Sequence, residues 1–163
     1  MDTPVKHYDP LTFGSHKSIG YLLKINHSMM ADRLERLFAD QDISFVQWIA
    51  LRKLNEGAAL TASDLCRKMC HDNGAVTRLL DQLEQRGFIV RERSREDRRV
   101  VNLQITDLGR LQITKLTPDV VHGLNAVLET FSIEEFGELT RLLEKLQTRL
   151  QSMSAEPITD TPS

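Results

Sequence analysis

The sequence predicts a mainly α-helical fold with a small β-hairpin. Three observations lead there. Apolar residues recur at three- and four-residue steps along most of the 163 residues, the period changes to two just after Phe88, and side-chain pairs with capping spacing head several helical runs. With 40% hydrophobic residues, a chain of this length can bury one core.

Ile19, Leu22, Leu23, Met30, Leu34 and Leu37 mark an amphipathic first helix from Ser18 to Phe38. Ser44 and Gln47 have capping-box spacing and open a second helix through Phe45, Trp48, Ile49 and Leu54, which Gly57 ends. Thr61 and Asp64 repeat that spacing before a short helix through Leu65 and Met69. Asp72 or Asn73 caps the next, whose apolar face is Val76, Leu79, Leu80 and Leu83. Gly87 stops it. Val101, Leu103 and Ile105 then alternate with polar residues as one strand, Ile89 to Arg93 supplies its partner, and Ser94 to Arg98 is the hairpin tip. Thr106 opens a further helix that Pro118 is expected to kink or interrupt. Ser132 and Glu135 cap the last, through Phe136, Leu139, Leu142, Leu143, Leu146 and Leu150. Residues 1–17 read as an N-terminal arm and 151–163 as a disordered tail.

Net charge is −2, so the whole chain has no general attraction for nucleic acid. Its distribution differs. Between Arg67 and Arg110 there are ten Arg or Lys against seven Asp or Glu, so the basic excess is concentrated in one segment. Met1 to Asp9 lack the order of a signal peptide, and no apolar run approaches the ~18 residues of a membrane span. A cytoplasmic protein without membrane contact is expected. Cys66 and Cys70 are too few and too close for a disulfide framework. His7, His16, His27, His71 and His122 are dispersed, so they define no metal set, and no cofactor motif is present. Cys70 beside His71 is a poor nucleophile–base pair, because neighbours on a turn seldom face each other; the chain is expected not to be an enzyme.

Two short helices joined by a tight turn and followed by a hairpin make residues 44–106 a winged helix-turn-helix. In that motif the second short helix enters the major groove, about 12 Å wide. Here its polar face carries Asn73, Gly74, Thr77, Arg78 and Gln82. Arg pairs with guanine, Asn and Gln pair with adenine, and Thr contacts a base edge or a thymine methyl. Gly74 at the helix head is expected to admit a phosphate. The hairpin gathers Arg91, Arg93, Arg95, Arg98 and Arg99, more guanidinium than solubility needs, and an arginine at a loop tip can enter a minor groove. Asp97 is expected to pair with Arg99 and direct its guanidinium.

The run from Gly74 to Thr106, GAVTRLLDQLEQRGFIVRERSREDRRVVNLQIT, resembles the MarR family of transcriptional regulators. Gly74-Ala75-Val76-Thr77-Arg78, Arg86-Gly87-Phe88, Asp97-Arg98-Arg99, and Ile105-Thr106 followed by Gly109 carry the resemblance. It extends loosely over residues 18–150, as far as a last helix beginning Phe131-Ser132-Ile133-Glu134-Glu135. It implies a MarR-type domain in which helices within 18–40 and 107–150 interlock two copies. The homodimer would set one winged domain on each half of a pseudo-palindromic operator in double-stranded DNA, as a repressor. Thr77 and Arg78 would read bases and Arg99 the minor groove; Gln82 departs from members that have an arginine there. The resemblance also implies release by a small aromatic or phenolic acid, held here by His16, Lys17, Tyr21, His27, Trp48 and Arg52. Redox sensing through Cys66 and Cys70, and a winged-helix protein-interaction module, are the alternatives.

Overall fold

The computed structural model describes residues 6–57, 61–69, 72–94, 96, 97 and 99–154. Its helices are α1 (Ile19–Glu35), α2 (Phe45–Asn55), α3 (Ala62–Met69), α4 (Asn73–Gln85), α5 (Asp107–Val127) and α6 (Ile133–Ser154); its strands are β1 (Ile89–Arg93) and β2 (Val101–Ile105). Short 3-10 turns, Ser15–Lys17 and Arg36–Phe38, flank α1. The chain divides into two compact units, Met1–Gly123 and Leu124–Ser163.

The helix heads form as their sequences dictate. Ser44 Oγ accepts from the Gln47 main-chain N–H at 3.2 Å while Gln47 Oε1 accepts from Ser44 N–H at 3.1 Å. Thr61 with Asp64, and Ser132 with Glu135, make the same reciprocal pair. Of the two candidates for the head of α4, Asp72 is the cap: its carboxylate accepts from Ala75 N–H at 2.9 Å. At the far end Gly87 takes φ 72°, its N–H donates to Glu84 O and that of Phe88 to Leu83 O. This left-handed turn satisfies two carbonyls that a helix end leaves open.

In the first unit, Leu51, Leu65, Val76, Leu80, Leu83, Ile89 and Leu116 are almost fully buried, with Phe38, Phe88 and Leu103 close behind. Each such side chain stabilises by about 1.5–3 kcal/mol relative to exposure, so the apolar stripe of α4 is fixed inward and its opposite stripe is left to solvent. β1 and β2 pair antiparallel with Ile89 opposite Ile105 and Arg93 opposite Val101.

Four features differ from the sequence reading. Val101 is 40% exposed, so inward alternation is limited to Leu103 and Ile105; the outer end of the hairpin has no core beneath it. Thr61 bridges to Asn102, joining the head of α3 to the hairpin. Pro118 does not interrupt α5, which runs through it, and the Thr117 hydroxyl donates to Ile113 O at 2.7 Å in the same turn. The last helix continues to Ser154, four residues into the expected tail; residues 155–163 of that tail lie outside the described residues.

Candidate nucleic-acid interface

Asn73, Gly74, Thr77 and Arg78 are all exposed on α4. The Asp72 carboxyl is held below the ordinary carboxylate range first by the Ala75 N–H, which outweighs the opposing cost of desolvation, and then by the Gly74 N–H and the Arg78 guanidinium. That changes the role expected of Gly74. The Ala75 amide at this helix head is already engaged by the chain's own carboxylate, and a Cβ on Gly74 would stand 3.2 Å from Asp72 Oδ1. Glycine here leaves room for the cap, beside a helix head whose Ala75 N–H is no longer open to a phosphate. Thr77 Oγ1 donates to Asn73 O at 2.8 Å, which leaves its lone pairs and methyl for an outside partner. Arg78 forms no ion pair at bonding distance among the described residues, so its five donors are available. It lines a groove of about 240 Å³ with Ser44, Gln47, Ala75 and Gln82. Gln82 is exposed, but its amide is tied to Gln47, whose Nε2 lies 2.6 Å from Gln82 Oε1.

The wing arginines divide by role. Arg91 reaches back to α4, with Asp81 at 2.7 Å and Glu84 at 3.4 Å, so it braces the hairpin against the helix. Partly exposed pairs of this kind are worth less than about 1 kcal/mol each, and their effect is mainly geometric. Arg93 and Arg99 are exposed; Arg95 and Arg98 lie outside the described residues. Ser94 Oγ accepts from the N–H groups of Glu96 and Asp97, at 3.2 and 3.3 Å, and the Val100 N–H closes the turn on Asp97 O at 2.9 Å. Asp97 Oδ1 accepts from the Arg99 main-chain N–H at 2.9 Å. The expected ion pair is thus replaced: among the described residues Asp97 holds the backbone of Arg99 and not its guanidinium.

Sequence reasoning missed Ser94 as the organiser of the tip, the Arg91 brace, and the reach of Gln47 to Gln82. The 35-residue separation hid the last of these; an Asp81/Glu84 pair beside an arginine-rich strand was a usable signal for the second.

The six residues expected at an effector site do not all meet. His16 and Lys17 lie in the turn before α1, and Tyr21 and His27 on α1, all exposed. Trp48 and Arg52 do come together on α2, the guanidinium 5.8 Å from the indole centroid, while Arg52 also pairs with Glu56 at 2.7 Å. Trp48 stacks on Phe45 and tilts against Phe38, and its Nε1 is buried with no hydrogen-bond partner among the described residues. A cleft of about 640 Å³ lies elsewhere, lined by Gln41, Asp42, Arg86, Phe88, Leu108 and Gln112. Cys66 is half-buried on α3, and Cys70 lies outside the described residues.

A capped helix with an open polar stripe, braced to an arginine-bearing hairpin, defines a DNA-binding protein of the winged helix-turn-helix class. The MarR family model matches residues 43–101. Over 136 residues the chain is 31% identical to the HTH-type transcriptional regulator PecS of Dickeya dadantii, covering 81% of each protein. It is 27% identical to the transcriptional repressor MprA of Escherichia coli, over 80% of this chain and 76% of that one. Its fold is similar to that of a mutant MarR from Escherichia coli complexed with operator DNA, at a TM-score of 0.69, 23% identity, and coverage of 78% and 92%. The chain belongs to the MarR family and is a DNA-binding transcriptional regulator. No described helix is long and apolar enough to cross a membrane.

Proposed function

We propose that this chain is a cytoplasmic repressor, without enzymatic activity, that binds a pseudo-palindromic operator as a homodimer and is released by a small aromatic or phenolic acid. The observation that carries the DNA reading is the Arg78 guanidinium, exposed and without a bonded partner among the described residues, on a helix whose cap and brace are both satisfied. Arg78→Ala is expected to cost roughly 1–3 kcal/mol on the cognate operator and much less on random duplex, because a base contact carries specificity. Equal losses on both would make Arg78 a phosphate contact.

The homodimer is supported by apolar residues left to solvent: Ile19, Leu22, Ile25 and Met29 on α1, and Phe136, Leu139, Leu142 and Leu143 on α6, all at least 36% exposed. Monomers seldom tolerate contiguous apolar surface beyond a few hundred Å². Light scattering is expected to give twice 18.6 kDa. A mass of 18.6 kDa with full operator affinity would remove the dimer from the proposal.

The Trp48 N–H, buried and without a hydrogen-bond partner among the described residues, and the Arg52 guanidinium over the same indole support the effector reading, since each is a donor to a carboxylate and an unsatisfied buried donor costs about 1–3 kcal/mol. Release then means that the acid binds the DNA-incompetent state more tightly. Small aromatic carboxylates are expected to weaken operator binding in wild type and less so in Arg52→Ala. If a broad panel leaves affinity unchanged while mild peroxide abolishes it in a Cys66- or Cys70-dependent way, redox sensing replaces the acid.

A further inference from the structure

Gln47 is the one buried polar side chain of the described core, 6% exposed, and both ends of its amide are engaged. The chain itself assigns which end is which. The Ser44 main-chain N–H only donates, so the Gln47 atom facing it is Oε1, and Nε2 must point at Gln82. Nε2 also only donates, so the Gln82 atom 2.6 Å away is Oε1. Its own Nε2, with two N–H donors, is the end of Gln82 left without a protein partner among the described residues.

Gln82 stands one turn beyond Arg78 on the same stripe of α4, and the two line one groove. A free glutamine reads adenine by accepting from N6 and donating to N7 together. This one has its carbonyl already occupied. We propose that Gln82 reads the operator as a hydrogen-bond donor, selecting guanine, whose O6 and N7 only accept, over adenine at one position in each half-site. Gln47 is the positioning residue that sets this polarity without touching DNA. The inference rests on α4 being the helix in the major groove.

The test is selection of binding sites from a randomised duplex library at one fixed salt concentration, with wild type, Gln82→Ala and Gln47→Glu. Wild type is expected to prefer guanine over adenine at one half-site position by about tenfold, and Gln82→Ala to lose that preference at that position alone. Gln47→Glu retains an acceptor for Ser44 N–H but cannot donate. The Gln82 amide must then turn over, presenting Oε1 to DNA, and the preference is expected to move to a base with an amino group, adenine or cytosine.

If circular dichroism shows that Gln47→Glu does not fold, Gln82→Glu at the exposed position decides. Its carboxylate accepts from Gln47 Nε2 and offers DNA only acceptors, so cytosine is expected. Adenine preferred by wild type, a base profile unchanged in Gln82→Ala, a uniform loss on all sequences, or a folded Gln47→Glu with the wild-type profile each overturns the inference. Those outcomes leave base reading by α4 standing. Failure of wild type to enrich any sequence would overturn that reading as well.

Discussion

Asp97→Ala is expected to weaken operator binding about tenfold, although it removes a negative charge from a surface that meets a polyanion. The carboxylate accepts from the Arg99 main-chain N–H at 2.9 Å, and the Asp97 carbonyl accepts from Val100 N–H. Together with Ser94 Oγ these bonds set the path of the wing tip and hence the point from which the exposed Arg99 side chain departs. A guanidinium inserted into a narrow minor groove depends on that direction as well as on its charge. Arg99→Ala is expected to lose at least as much. In a double-mutant cycle the Asp97 change is expected to matter little once Arg99 is gone. If the wing acts only as an electrostatic patch, Asp97→Ala binds more tightly, most visibly at low salt where screening is weak. Tighter binding by the folded Asp97→Ala protein would therefore eliminate the orienting role.

Gly109→Ala is expected to lower the melting temperature by roughly 6–12 °C, the shift that about 3 kcal/mol produces in a chain of this size. Two effects compete. Alanine is favoured over glycine in a helix by about 1 kcal/mol, and Gly109 lies in the first turn of α5. Its Cβ, however, would stand 2.3 Å from Phe88 O and 2.8 Å from Ile105 Cγ1. Phe88 O is backbone that already accepts the Thr106 N–H at 3.0 Å, so it cannot retreat without breaking the bond between hairpin and helix. Thr106 Oγ1 accepts from the Gly109 N–H and donates to Gly87 O, so the strain is expected to reach the end of α4. Thermal melting followed by circular dichroism checks this; an unchanged or raised midpoint would show that the junction yields at little cost.

That junction also shows what the motifs mean physically. Arg86-Gly87-Phe88 and Ile105-Thr106 with Gly109 are separate patterns along the chain, but in space they are one closure, in which the helix stop, the return strand and the next helix share hydrogen bonds. The exposed face of α4 was equally legible. Once Val76, Leu79, Leu80 and Leu83 are committed to the core, the positions of Asn73, Thr77 and Arg78 follow from helical geometry. The expected effector site is not assembled by local spacing to the same degree. Of its six residues, Trp48 and Arg52 are an i, i+4 pair that local spacing brings together, whereas His16, Lys17, Tyr21 and His27 depend on packing between elements.

What can be read along the chain is local: the helices and their caps, the period-two hairpin, the inward face of each short helix, and the residue types offered to DNA. How those polar groups are used emerged from packing alone. Asp72 occupies the Ala75 amide at the head of α4, Arg91 braces the wing to α4, Asp97 holds backbone instead of guanidinium, and Gln47 takes the carbonyl of Gln82. The difference is one of range. Periodicity and capping act over three or four residues and leave a pattern in the order of amino acids, whereas a side-chain hydrogen bond is set by whichever donor and acceptor the packed core brings within about 3 Å.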